Sequence, residues 1–312
     1  MLHLRWHTGM RRLVIIALVI LTGEACDRGV PAHREDSATS TQPSYTQAVP
    51  QEVAESSWLA GVGSAMFIEG SSPSEAIVVG PMEGEELAAA VRATVTTTPE
   101  ITLLGRGGQQ SVAHLNPSPD KQDPECMLWS FSDHGAAASN GWAVGFVTSQ
   151  VKPLALDSVD VLSARDSMTL VAEVSRLASA VTGASGPAFQ GLRFTAHDIR
   201  RFEAVPGQQA LVAHVIRRVN QEASPLEEQT LLIAERDSGV TSGPYHLVYA
   251  ERSSGLEDQA TTPEVIGGAI VGRRTLLVVA RDSDTGISYS VLERLNAHEW
   301  RVRWTSKPTA CS

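Results

Sequence analysis

Apolar positions fall into three regimes along the chain. Leu13-Val-Ile-Ile-Ala-Leu-Val-Ile-Leu21 is nine apolar residues without a break. Apolar periodicity then disappears, and 13 of the 23 residues from Glu35 to Ser57 are Ser, Thr, Gln or Pro. Such a composition buries too little surface to offset its ordering entropy, so residues 26–57 are expected to be a disordered linker. From Trp58 onward, short apolar runs bounded by Gly, Ser, Pro and Asp take over, the pattern of strands and turns.

In the first part of this body, the runs at 58–68 and 76–79 and the segments 101–104, 111–115, 127–132 and 142–148 predict short strands. Residues 83–95, with Glu-Glu-Leu-Ala-Ala-Ala-Val-Arg, are rich in helix formers. The Asn-Pro-Ser-Pro-Asp-Lys-Gln-Asp stretch at 116–123 predicts an exposed loop. The clearest helix is 164–182. Ser163 serves as N-cap and Asp166 sits in the first turn. Leu170, Val174, Leu177 and Val181 recur at spacings of 4, 3 and 4 to make one apolar stripe, with Glu173 and Arg176 on the other face. Gly183 ends it, and 183–187 is a natural linker.

The remainder predicts antiparallel strands at 210–219, 230–236, 245–252, 275–281, 287–295 and 299–305. Ser224-Pro225-Leu226-Glu227 has a helix-start pattern, which predicts a short helical turn ahead of the strand at 230. The nine residues Thr230-Leu-Leu-Ile-Ala-Glu-Arg-Asp-Ser238 match Thr275-Leu-Leu-Val-Val-Ala-Arg-Asp-Ser283 at six positions, 45 residues later. Each copy precedes a tyrosine-containing strand with a Glu-Arg pair, Glu251-Arg252 and Glu293-Arg294. The expectation is an α+β, β-rich protein with one long amphipathic helix near the middle. A mixed region 58–187 would precede an antiparallel β domain 188–312 that carries a duplicated hairpin unit.

The first 25 residues add an address. Arg5, Arg11 and Arg12 precede the apolar run, and Gly23-Glu24-Ala25 leads to Cys26. Charged, apolar and small segments in that order are those of an export signal. Nine apolar residues fall well short of the roughly 20 that cross a bilayer. The segment from Met10, MRRLVIIALVILTGEAC, resembles a bacterial lipoprotein precursor, with Ala25 before the Cys. The resemblance implies cleavage after residue 25, lipid on Cys26, and membrane anchoring in the cell envelope, facing the periplasm or exterior. Gly23-Glu24-Ala25 also suits ordinary signal peptidase, which would leave Cys26 unmodified.

Charge and cysteines narrow the partners. The chain carries a net charge of −10, and residues 1–25 hold three Arg against one Glu, so the rest stands at −12. No basic stripe appears, which argues against nucleic acid; an envelope protein partner is compatible. With Cys26 lipidated, Cys126 and Cys311 remain as a candidate disulfide in an oxidising compartment. The other arrangement is two free thiols, with Cys126 in the core and Cys311 exposed.

Candidate chemistry is sparse. The sequence holds no Gly-x-Ser-x-Gly, His-Glu-x-x-His, phosphate loop or Cys-x-x-Cys, and no cofactor is implied. Ser132-Asp133-His134 brings triad residue types together, but neighbours in extended chain alternate faces, so turn capping is the expectation. Asp282-Ser-Asp284-Thr-Gly286 resembles half a calcium loop; a hairpin turn explains it as well. Residues 220–222 with Glu227-Glu228 make an acidic, solvated connection. His214 and His246 fall in predicted strands. Trp300 and Trp304, an even number apart, would share a sheet face, which either packs in the core or lines a binding surface. The function expected is non-enzymatic binding or assembly in the envelope; the alternatives are a periplasmic hydrolase or metal-dependent enzyme, and a structural spacer.

Overall fold

The computed structural model describes residues 57–311 except 98–99, 123–125, 133–140, 184–185, 221–224, 238 and 241. The export signal, Cys26 and nearly all of the linker lie outside the described residues.

The first sheet combines β1 (Met66–Glu69), β2 (Glu75–Val79), β3 (Glu100–Leu104), β4 (Gln110–His114), β5 (Lys121–Gln122), β6 (Met127–Ser130) and β7 (Val144–Phe146). Their order is β4-β3-β7-β1-β2-β6-β5. Helix α1 (Gly84–Thr97) covers one face, seating Leu87, Ala88, Val91 and Val95 among Phe67, Ile101, Leu103, Trp129 and Trp142. The loop expected at 116–123 contains the two-residue strand β5, hydrogen-bonded to β6.

Two further sheets follow. The middle sheet is ordered β17-β16-β15-β14-β8, from β8 (Val151–Pro153), β14 (Thr262–Val271), β15 (Arg274–Ser283), β16 (Gly286–Asn296) and β17 (Glu299–Thr305). The outer sheet is ordered β13-β12-β11-β10-β9, from β9 (Asp157–Ser158), β10 (Thr195–Val205), β11 (Gln208–Val219), β12 (Leu226–Glu235) and β13 (His246–Leu256). Every ladder in the three sheets is antiparallel. Helix α2 (Ala164–Ala180) lies on the outer sheet. Leu170, Val174, Leu177 and Ala178 pack against Ile199, Leu211, Ala213, Leu232 and Tyr245.

Side-chain alternation stacks these elements into five layers. The middle sheet sends Ala269, Leu276, Val278, Tyr289, Val291 and Trp304 toward Met66, Ile77, Val144 and Phe146 of the seven-stranded sheet. Its other face sends Val265, Leu277, Val279, Leu292 and Trp300 toward Phe202, Val212, Leu231 and Ile233 of the outer sheet. The order is therefore α1, seven-stranded sheet, middle sheet, outer sheet, α2. Both faces of the middle sheet are buried, so β15 reads Leu-Leu-Val-Val without a polar alternate.

Three expectations are corrected by this architecture. Leu226 and Glu227 open strand β12 rather than a helical turn, because Leu226 pairs with Val219 on one side and Leu256 on the other. Glu227 and Glu228 are buried, not solvated. They stand directly across from Arg218 and Arg217 on β11, and cross-strand pairing of opposite charge lets a central strand carry them. Trp300 and Trp304 occupy opposite faces. A register shift in the β16–β17 ladder pairs Leu292 with Val302 but Val291 with Trp304. The extra residue on β17 inverts the alternation, so Trp300 enters the middle–outer core and Trp304 the other, each almost fully buried.

Candidate functional site

Beside α2 a cleft of about 770 Å³ opens between the helix and the segment leading into β13. Its lining includes Arg165, Met168, Leu170, Glu173 and Arg176 from the helix, with Arg236, Pro244 and Tyr245 from the opposite wall. The helix begins where Ser163 caps it: the Ser163 hydroxyl accepts from the Asp166 N–H and donates to the Asp166 carboxylate. Its apolar stripe fixes which side faces the sheet, and Arg165, Met168 and Arg176 are left on the rim.

The two walls are clamped by one ion pair. Arg176 Nε and Nη2 donate to the two Glu173 carboxylate oxygens at 2.9 and 2.6 Å. Glu173 Oε1 also accepts from the Tyr245 N–H at 3.2 Å, and Arg176 Nη2 donates to the Tyr245 carbonyl at 3.1 Å. The pair thus engages both backbone polar groups of the residue ahead of β13, as a neighbouring strand would. The hydrogen bond from Arg176 is the leading cause that holds the Glu173 carboxyl below the ordinary carboxylate range. Tyr245 is buried, which pushes its phenol above the usual value. The Arg236 guanidinium lies over its ring at 4.3 Å from the centroid, a cation–π geometry, and Arg236 Nη1 donates to Gln209 Oε1 at 2.6 Å.

The charge of this lining is unlike that of the chain. Three guanidinium groups face a single carboxylate among the described lining residues, and that carboxylate is already engaged by Arg176. Met168, Leu170, Pro244 and Tyr245 supply apolar surface between them.

Histidines form two close pairs elsewhere. His197 and His214 have ring centroids 5.1 Å apart; His214 Nε2 lies 2.6 Å from Gln229 Oε1, and burial pushes its pKa below the ordinary histidine value. His246 and His298 are 6.1 Å apart and share Asp237, at 3.8 and 3.5 Å. Among the described residues, no group of three or more His, Cys, Asp or Glu side chains is arranged to hold a metal ion.

The sequence candidates land as follows. Cys126 and Cys311 form a disulfide, with Cα atoms 5.0 Å apart, inside the core between the seven-stranded and middle sheets. Ser132 donates to the His114 carbonyl, while Asp133 and His134 lie outside the described residues, as do Gln221 and Glu222. Asp282–Gly286 is the β15–β16 hairpin turn, with Ser283 donating to the Gly286 carbonyl and Gly286 at a φ of 114°. Trp300 and Trp304, being buried on opposite faces, make no common surface.

The cleft itself drew no signal from the sequence. Arg176 and Glu173 stood only as polar residues off the helix stripe, and Arg236 and Tyr245 flank the connection between β12 and β13, 60 or more residues away. No protein-family model, curated protein or solved structure matches the chain.

Proposed function

We propose that this chain is an exported, lipid-anchored envelope protein that binds a ligand or partner non-enzymatically, with the cleft beside α2 as its binding site. The address rests on Arg11-Arg12, the nine-residue apolar run and Cys26, and the linker would let the body stand off the membrane. The observation that carries the binding role is the Glu173–Arg176 clamp on the Tyr245 backbone. It fixes the two walls of the cleft before anything arrives, and a preformed site avoids the ordering cost of assembly on binding. Intact mass of the full chain from a membrane fraction tests the address. Residues 26–312 plus acyl chains is the expected mass, and an unacylated chain in the soluble fraction would overturn it. Native mass analysis of the same preparation tests the binding role by looking for a retained molecule.

We further infer that β12–β13 and β15–β16 are copies of one strand–turn–strand unit. Six identities in nine support this, as does the antiparallel pairing of each strand with its successor. The alternative, a periplasmic hydrolase, draws support from His246 beside Asp237. Hydrolysis of a generic ester lost in His246→Ala would favour it over binding.

A further inference from the structure

Three arginines converge on one buried carboxylate near the β17 edge of the middle sheet. Glu293 on β16 is 5% exposed. Arg274 of β15 and Arg301 and Arg303 of β17 stand around its carboxylate at 3.6, 3.9 and 3.7 Å. Each distance is longer than a hydrogen bond, and none of the three guanidinium groups donates one among the described residues. Glu293 Oε2 and Arg303 Nε are buried without a hydrogen-bond partner. Arg294 by contrast grips Glu235 at 2.7 and 3.0 Å. Glu293 therefore gathers three cations, cancels the charge of one, and leaves their donors unused. Arg273, exposed in the turn between β14 and β15, adds a fourth cation, and Glu299, hydrogen-bonded to Asn296, adds a second acid. Four cations against two acids leave the patch at +2 on a chain whose net charge is −10.

The patch lies where the linker enters the body. Trp58 stands edge-on to Trp304, the neighbour of Arg303, with ring centroids 4.7 Å apart. Gly61 lies against Arg274, whose Nη2 is 3.9 Å from where a Cβ on that glycine would stand. Between Cys26 and this point run the residues of the linker, whose composition predicts a flexible chain with its ends about 30 Å apart on average. A lipid on Cys26 would hold this end of the body near the bilayer.

Resting on the address proposed above, we infer that the arginine patch docks on the anionic headgroup surface of the membrane, its unused guanidinium donors taking lipid phosphates. Glu293 is a positioning residue that holds the three side chains together. Screening confines the interaction to roughly 8 Å at physiological salt, so the local +2 decides the contact and the distant acids of the body do not. The rest of the chain is acidic and is repelled, which selects the end that faces the bilayer. The position beside the linker entry favours a lipid surface over an acidic protein.

Hydrogen exchange of the full chain in nanodiscs tests this, with phosphatidylcholine alone compared with phosphatidylcholine containing phosphatidylglycerol. Amides at 272–274 and 299–305 should exchange more slowly in the anionic discs, and about 1 M salt, with a Debye length of roughly 3 Å, should abolish the difference. Arg301→Gln and Arg273→Gln should each lower the docking equilibrium about fivefold, the scale of one basic residue at an anionic surface. Both side chains are exposed and neither makes a hydrogen bond within the described fold, so these variants stay folded if Arg303→Gln does not. Arg193→Gln, exposed ahead of β10, should change nothing. Equal exchange in the two kinds of disc overturns the inference. So does the same protection from inorganic phosphate without anionic lipid, which would make the patch a small-anion site. Faster exchange there in neutral discs after Glu52→Gln or Glu55→Gln would show the linker as the occupant and also overturn it. A chain that does not stay with the discs sinks the address; anionic vesicles added to it then test the patch alone, where protection supports the contact and its absence overturns it.

Discussion

The middle sheet meets a neighbour on each face, and the two interfaces are finished differently. Toward the seven-stranded sheet it packs Leu276, Val278, Val291 and Trp304 against Met66, Ile68 and Phe146, and the Cys126–Cys311 bridge closes that core. The buried carboxylate on that side, Glu293, has Arg274, Arg301 and Arg303 only at 3.6 to 3.9 Å. Toward the outer sheet the apolar middle is flanked by tight polar clusters. Glu235 is fully buried and accepts from Arg294, Gln208 and the Trp300 indole. Arg281 of the middle sheet grips Glu251 of the outer sheet through two hydrogen bonds, and the Tyr249 hydroxyl donates to the same carboxylate. One face is thus held by shape and a covalent tie, the other by shape and paired charge. The lesson is that a sheet buried on both sides does not need the same means on each. Paired charge is directional and specifies which neighbour docks and in what register, whereas apolar contact alone is permissive.

This contrast can be broken in order of expected effect. Glu235→Ala strands the Arg294 guanidinium in the core and should cost about 3–5 kcal/mol, read as a lower urea midpoint. Cys126→Ser removes the tie on the other face and should cost about 2–4 kcal/mol. Hydrogen exchange in that variant should rise first in β5, β6 and the C-terminal residues, and an equal rise in β12 and β13 would deny the two interfaces separate characters. The pH dependence should come from the outer-sheet interface. Because burial depresses the folded pKa of His214, the unfolded chain binds its proton first. Stability should be full above about pH 6.5 and fall as the pH drops below it, by at most about 1.4 kcal/mol per pH unit for this group. His214→Gln should flatten that slope. Tyr249→Phe, which loses a single hydrogen bond to Glu251, should cost about 1 kcal/mol in thermal melts.

The sequence was legible where burial follows a simple period. The strands expected at 210–219 and 275–281 appear as Gln208–Val219 and Arg274–Ser283. Strands β10 and β14 were missed for opposite reasons. Thr195–Val205 carries Asp198, Arg200, Arg201 and Glu203, whose charge obscures Ile199 buried on the helix side and Phe202 and Ala204 buried on the other face. Thr262–Val271 opens on Pro263 and contains Gly267-Gly268, which look like a turn. Leu154 packs where a Cβ on Gly268 would stand, 2.9 to 3.3 Å away, so the glycine there serves close packing rather than a bend. The tryptophan pair was misplaced because a single unpaired residue on β17 reverses every later side chain.

By itself, the sequence pointed to a body rich in antiparallel strands and to a helix starting at Ala164, expected to run to 182 and ending at Ala180, since capping and hydrophobic period act over a few residues. It also supplied the two cysteines that bridge. Only the tertiary structure decided what the charges are for. Glu227 and Glu228 needed β11 beside them to become buried partners rather than a solvated loop. The cleft required α2 to meet the approach to β13, bringing Arg176 onto the Tyr245 carbonyl across 69 residues of chain. The reason is that local propensity depends on neighbours in sequence. Electrostatic and cavity properties depend on neighbours in space, and those are set by which sheet packs on which.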